Sequence, residues 1–297
     1  MDLVIVHGGA GGENHPVQSE ALAKAAMAGY SALSGGHLDA VERAVIAMED
    51  DPLFNAGYGS VLNLAGEVEM DAAVFDGSTV RCGAVAAIRD VRNPVRVARL
   101  VMEETQHALL AGEGAIRFAR EQGLESFEPV TEKQKLAWEK AILAHQRGEQ
   151  PDICALTGGE SGSCDTVGCI AVKNGLVAAA SSTGGVLLKL PGRVGDTGVI
   201  GAGIYAAPQG AVVCTGLGEI FIRRNIAAWT VNLLNQGVNV HDAARAAIHR
   251  LTGSGATGGV LVADAEGNAA AVYNSAVFPV AMVVNGQLIS GFTPIKT

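Results

Sequence analysis

The chain predicts an α+β fold in which sheet packs on sheet with helices outside, and three observations predict it. Hydrophobic residues make up 48% of the 297 residues and charged residues only 17%, enough apolar surface for one large or two modest domains. Short β-branched runs occur in both halves, and in each half Ala-rich segments with apolar residues at helical spacing follow them. Gly occurs 39 times without a three-residue period, against a usual share of about 7%, which asks for tight turns and close backbone approaches.

The elements follow in order. Leu3 to Val6 reads as a buried strand, succeeded at once by His7-Gly8-Gly9-Ala10-Gly11-Gly12. Helical patterns cover Ser19 to Leu33 and Leu38 to Met48, and the punctuated segment DDPLFNAGYG (50–59) is a turn-rich connection. Strands are expected at Val68 to Phe75 and Gly83 to Ile88, then helices at Val95 to Leu110 and Ala115 to Glu121. Residues 124–162 are more polar, with a helix at Glu132 to Gln146 and a loose connector beyond it. The second half returns to strands at Thr166 to Val172, Leu176 to Ser181 and Gly210 to Cys214. Helices at Glu219 to Leu234 and His241 to Leu251 come next, and strands near Gly259 to Ala263, Ala269 to Tyr273 and Val280 to Val284 close the chain. No internal repeat is visible.

Charge and composition exclude several classes. A net charge of −9 and a pI near 5.3 remove the electrostatic footprint that phosphate binding needs, and 4% aromatics leave no stacking platform, so no nucleic-acid partner is expected. No apolar stretch approaches a membrane span, and Leu3 to Val6 is too brief for a signal sequence, so no membrane partner is expected either. The five cysteines (Cys82, Cys154, Cys164, Cys169, Cys214) are odd in number and form no CxxC pair, which reads as reduced thiols in a cytoplasmic protein.

The chemistry concentrates around Thr166. Residues 157–163 read TGGESGS, small and polar, and they abut the β-branched run Thr166-Val167-Gly168-Cys169-Ile170-Ala171-Val172. A cuttable segment against a core strand is where a chain can cleave itself. Scission between Asp165 and Thr166 would expose a residue with both a hydroxyl nucleophile and an amine base. Three further clusters accompany it: Ser181-Ser182-Thr183-Gly184-Gly185, Gly192-Arg193-Val194-Gly195-Asp196 and Cys214-Thr215-Gly216-Leu217-Gly218-Glu219. Adjacent strands would bring Thr166 and Thr183 together. The 215–218 loop, between a strand and a helix, offers hydroxyl and N–H donors to an oxyanion.

Other readings of single motifs stay open at this level. HGGAGG lacks the Lys-Ser/Thr of a phosphate-binding P-loop and reads as a structural turn supporting the site floor, and GLGEIF lacks the third glycine of a dinucleotide fingerprint. Arg193 and Asp196, three apart, would by themselves be an ordinary surface ion pair. His15, His37, His107, His145, His241 and His249 show no ligand spacing.

Taken together, DTVG (165–168), STGG (182–185), GRVGD (192–196) and TGLGE (215–219), with HGGAG (7–11), PLFNAGYGS (52–60) and EMDAAVFDG (69–77), closely resemble the plant-type L-asparaginase/isoaspartyl peptidase family of N-terminal-nucleophile hydrolases. The resemblance spans almost the whole chain. It implies a four-layer αββα sandwich, self-cleavage between Asp165 and Thr166, and subunits 1–165 and 166–297 assembled as a dimer of αβ units. It also implies small-molecule substrates, β-aspartyl dipeptides and L-asparagine. Thr166 would be the nucleophile, Thr183 its hydrogen-bond partner, Thr215 and Gly216 the oxyanion donors, and Asn55 an ordering residue. Arg193 would clamp the substrate α-carboxylate, and Asp196 with Gly218 the α-ammonium. No organic cofactor is implied. A monovalent cation, sodium or potassium, would sit on the backbone carbonyls of Met48, Glu49, Asp51, Phe54, Ala56 and Tyr58. Two alternatives remain: a glycosylasparaginase-like amidase, and an unprocessed binding protein. The chain departs from many relatives at Cys164, where they carry His, and at Cys169, where Ala is common; Leu217 beside the site would tune substrate entry.

Overall fold

The computed structural model describes residues 1–11, 16–149, 166–290 and 292–297. Asp165, Cys154, Cys164, His15 and all but residues 147–149 of the expected connector lie outside the described residues. In the first half, β1 (Leu3–His7) leads to α1 (Pro16–Ala32) and α2 (His37–Glu49), then to the antiparallel pair β2 (Met70–Asp76) and β3 (Arg81–Ile88). The helix α3 (Pro94–Glu104) starts on a proline whose fixed φ suits a first turn. Apolar spacing predicted that helix to run on to Leu110, and here the structure differs. Thr105 leaves it in extended backbone, its hydroxyl donating to Val101 O (2.7 Å) and accepting from His107 N (2.9 Å). The freed segment Leu109–Ala111 then adds a short parallel strand, β4, to β3. Two helices follow, α4 (Gly112–Glu121) and α5 (Glu132–Gln146), the latter capped by Thr131 accepting from Gln134 N.

The second half opens on the hairpin of β5 (Val167–Lys173) and β6 (Leu176–Thr183). Its turn is Asn174-Gly175, both with positive φ (50° and 82°), the two-residue connection whose twist matches a hairpin. Next come β7 (Ile204–Ala207) and β8 (Gly210–Gly216). The single helix expected from Glu219 to Leu234 is broken into α6 (Gly218–Arg224) and α7 (Ile226–Asn235) by Asn225, which is left-handed at φ 52°. Asparagine tolerates that region, and the first N–H groups of α7, on Ala227 and Ala228, turn instead to the carbonyls of Ala202 (3.1 Å) and Gly201 (2.9 Å). The remaining elements are α8 (Val240–Thr252), β9 (Gly258–Asp264), β10 (Ala269–Tyr273), β11 (Val280–Val284), β12 (Gln287–Leu288) and β13 (Ile295–Lys296). The strands not anticipated, β4, β7, β12 and β13, are two to four residues long and too short to show a period.

Two sheets result among the described residues, ordered β12-β11-β1-β5-β6-β2-β3-β4 and β13-β10-β9-β8-β7. Side chains alternate along each strand. Leu3, Ile5, Phe75 and Ile170 of the larger sheet therefore share one cluster with Ile204, Val213 and Leu261 of the smaller. The opposite face of the larger sheet, with Val4, Val6, Val74 and Val85, meets Leu22, Val41, Val97 and Ala115 from α1 to α4. Val212, Val260 and Val262 of the smaller sheet meet Phe221, Val231 and Ile248 from α6 to α8. Strands apolar on both faces explain the continuous hydrophobic runs. The fold is α+β, as the sequence predicts. Among the described residues no helix is long and apolar enough to cross a membrane.

Candidate active site

The β5–β6 hairpin brings together the two threonine hydroxyls of the candidate site. Val167 pairs with Ser182, so Thr166, one residue before β5, meets Thr183, the last residue of β6. Thr166 Oγ1 donates to Thr183 Oγ1 at 3.1 Å, and both side chains are buried. Thr183 Oγ1 also accepts from Gly185 N (3.0 Å), which fixes its rotamer. The Ser181 hydroxyl donates to the carbonyl of Val167 at 2.9 Å. The expected contact of these two threonines is therefore present.

Asn55 serves this hairpin rather than Thr166 itself. Its Nδ2 donates to Gly185 O (2.7 Å), its carbonyl accepts from Gly184 N (2.9 Å), and its Oδ1 accepts from Val61 N (2.9 Å). These bonds clamp the 183–185 segment to the 55–61 loop. Gln134 and Trp138 of α5 hold that loop from outside, donating to Gly59 O (2.9 Å) and Asn63 O (2.8 Å).

Thr215 and Gly216 end β8, Thr215 fully buried, and Gly218 begins α6. Val213 of β8 lies against Gly168 of β5 across the two sheets, two residues from Thr215 and from Thr166 respectively. Leu217 packs toward the α6–α8 core, so it contributes to folding as well as standing beside the site.

The charged part of the site gathers from distant segments. Arg193 donates through Nε (3.0 Å) and Nη2 (2.8 Å) to one oxygen, Oε1, of Glu219. Asp196 is 4% exposed and its Oδ2 has no hydrogen-bond partner among the described residues. A Cβ on Gly218 would lie 2.9 Å from Asp196 Oδ1 and 3.1 Å from Arg193 Nη2, so the three residues converge. Arg193 and Asp196 do not form the surface pair that their spacing alone suggests; Arg193 is committed to Glu219. Burial pushes the Asp196 carboxyl up to about 7, against the pull of Arg193. The loop that carries both is pinned by acids on β2 and before it. Glu69 accepts from Gly192 N (2.9 Å), and Asp71 accepts from Gly195 N (2.8 Å) and Ala87 N (2.8 Å). Buried Lys189 donates to Glu69 O at 2.6 Å. Burial raises the Asp71 carboxyl and lowers Lys189, each opposed by the attraction between them.

Sequence reasoning assigned no role to Glu69, Asp71, Lys189 or Glu219. The one available signal was an acid inside an apolar run, as in Met70-Asp71-Ala72-Ala73-Val74, because a charge is kept in such a place only when partnered.

The carbonyls expected to hold a cation lie on a loop that closes upon itself. Tyr58 N donates to Glu49 O at 2.7 Å, Asp51 N to Met48 O, and Phe54 N to Asp51 O, so each of these acceptors keeps one lone pair. Gly57, at φ +52°, lies so close to the Glu49 carbonyl that a Cβ would be 2.5 Å from it. A backbone-only oxygen set suits a hard monovalent ion, and the segment fits that donor chemistry. Among the described residues no cluster of three or more His, Cys, Asp or Glu is arranged to hold a metal. The Glu49 side chain turns inward beneath this loop, accepting from Val95 N (3.0 Å). Burial raises its carboxyl to about 8 against the opposing Ser182 hydroxyl, although among the described residues Oε2 and Ser182 Oγ complete no well-formed hydrogen bond.

Comparison with known proteins gives one consistent result. A family described as Asparaginase matches residues 1–290. A plant-type L-asparaginase of Thermococcus kodakarensis is 42% identical, covering 97% of this chain and 98% of that protein. The human isoaspartyl peptidase/L-asparaginase is 41% identical over 99% of this chain and 97% of its own length. A plant-type L-asparaginase of Pyrococcus furiosus is 40% identical over 97% and 98%.

Proposed function

The chain belongs to the asparaginase family, and from that premise we propose that it is made as a precursor that cuts itself between Asp165 and Thr166 to free its own nucleophile. It is an amidohydrolase acting on L-asparagine and on isoaspartyl (β-aspartyl) peptides. The observation that carries the role of Thr166 is the 3.1 Å contact of its buried hydroxyl with Thr183.

In the precursor the Thr166 hydroxyl attacks the Asp165 carbonyl, and the acyl group moves from nitrogen to oxygen. Water then hydrolyses that ester, leaving a carboxylate on Asp165 and an α-amine on Thr166. A free α-amine has a reference pKa of about 7.7–8.0, so near neutrality it accepts the proton of its own hydroxyl. As Oγ1 attacks the side-chain carbonyl of the substrate, the Thr215 hydroxyl and Gly216 N–H face the developing oxyanion. The amine returns its proton to the leaving ammonia or peptide amine, and water releases aspartate from the acyl-enzyme.

Because Glu219 occupies the Nε–Nη2 side of Arg193, the Nη1–Nη2 end is left for the substrate α-carboxylate. The buried Asp196 carboxylate, whose Oδ1 faces Gly218, and the Gly218 carbonyl take the α-ammonium. Asparagine and β-aspartyl peptides share those α-groups, so one clamp serves both.

The three apolar clusters are read as the interfaces between the four layers of an αββα sandwich formed by a single domain, 1–297. Its subunits would be 1–165, ending in a linker of about 147–165, and 166–297, with two αβ units forming a cytoplasmic dimer. The carbonyls of Met48, Glu49, Asp51, Phe54, Ala56 and Tyr58 would hold sodium or potassium, whose fixed charge would stiffen the loop carrying Asn55.

Intact mass spectrometry of fresh and aged protein, beside Thr166→Ala, tests the reading. The wild type is expected to yield fragments 1–165 and 166–297 and to release aspartate from β-Asp-Leu and L-asparagine. Thr166→Ala should stay whole and lose activity by on the order of 10³-fold or more. A wild type that never divides, or an active Thr166→Ala, would overturn it.

A further inference from the structure

His7, fully buried at the end of β1, is not used by the reaction described above. Its partner across the β1–β5 ladder is Gly168, two residues beyond Thr166 and so on the same face of that strand. The imidazole lies over Gly168 so closely that any Cβ there would collide with Nε2. Gly9 N donates to His7 Nδ1 at 3.3 Å, which makes Nδ1 the acceptor and leaves the proton of the neutral ring on Nε2. Phe278 closes the other side of the ring, 5.4 Å between centroids. Among the described residues Nε2 completes no hydrogen bond of good geometry. Its neighbouring polar group is the Thr166 backbone, which favours the protonated ring while burial, the stronger effect, lowers the imidazole to about 3. Burial therefore favours the neutral imidazole.

We propose that His7 is a positioning residue, whose Nε2–H holds the main-chain carbonyl of Thr166 and so orients the amine and hydroxyl of the processed nucleophile. The inference rests on the reading of Thr166 as a freed N-terminus. Before processing, Thr166 is tethered from both sides. Afterwards one peptide bond holds it, and chain termini fray unless tied down. Ser181 already holds the next carbonyl, that of Val167, at 2.9 Å. With His7 on the Thr166 carbonyl and Thr183 on its hydroxyl, the residue is held at each of its remaining groups while the amine stays free. The placement also gives Gly168 of the DTVG motif and His7 of the HGGAG motif one shared reason: a side chain at 168 would evict the ring.

The test compares His7→Leu, which fills the space without a donor, with His7→Gln, whose Nε2 reaches the same place with one. In processed protein of unchanged thermal midpoint, His7→Leu is expected to lower kcat by about tenfold or more with KM within about twofold, and His7→Gln to recover most of the loss. Native kcat in His7→Leu, equal damage in both variants, or a change confined to KM would overturn the proposal. Should His7→Leu not fold, two-bond ¹H–¹⁵N spectra of the native enzyme decide it: an Nε2–H imidazole is expected, and an Nδ1–H imidazole overturns it. An active Thr166→Ala would instead remove the underlying reading of the nucleophile.

Discussion

Thr166 and Thr183 meet across one hairpin, 17 residues apart, whereas the groups around Arg193 are gathered from far along the chain. Glu69 reaches Gly192 across 123 residues, and Asp71 reaches Gly195 across 124. The hydroxyls of Thr166 and Thr183 carry no charge and are positioned by strand register. The region around Asp196 is a set of buried carboxylates and cations whose charge depends on pH and on which partners are present. On the proposed reading, the first holds the reacting atoms by backbone geometry and the second holds the ends of a substrate by charge, with desolvation its main cost.

If that contrast is right, its sharpest break is Asp196→Asn. The variant removes the buried charge meant for the ammonium, and kcat/KM is expected to fall by about 100-fold, chiefly through KM. In the native enzyme the carboxyl titrates near 7 and must be ionised to hold a cation. L-aspartate affinity, read by calorimetry, should therefore weaken as pH falls below about 7. Affinity that is flat between pH 6 and 8 would contradict the assignment.

Glu219→Gln gives a smaller effect. It keeps an acceptor for Arg193 but removes the charge that fixes the guanidinium, and the pair is partly exposed. KM should rise by about threefold to tenfold with kcat within about twofold. A fall in kcat alone would mean that Glu219 acts on the hydroxyl region instead.

The smallest effect on turnover belongs to Glu49→Gln, which bears on stability. An acid whose native pKa is raised from 4.5 to about 8 keeps its proton in the fold, while the unfolded chain releases it. Native stability is then lost progressively as pH rises from about 4.5 to 8. Thermal midpoints of the native protein should decline over that window, and those of Glu49→Gln should decline less. Parallel curves would show that Glu49 does not titrate there.

Much of the hydroxyl region was legible in the sequence because local rules govern it. The Asn174-Gly175 turn and the alternation on either side set the register, and register alone brings Thr166 to Thr183. Fold class was legible for the same reason. The helix break at Asn225 was not, because the N–H groups that leave α7 are claimed by carbonyls of Gly201 and Ala202, more than twenty residues earlier. Asn55 was legible as a residue but not in its contacts, which go to Gly184 and Gly185 rather than to Thr166.

What the sequence by itself determined is the chemistry present: a threonine before a core strand, the small-residue motifs that can approach it, and an acidic chain unsuited to phosphate. What only the tertiary structure decided is which charges lose their water and which partner each finds. Strand pairing across a two-residue turn follows from neighbouring residues. Burial depends on everything packed above a group, and so Asp196 Oδ2 has no hydrogen-bond partner among the described residues, Arg193 turns to Glu219, and His7 lies neutral over Gly168.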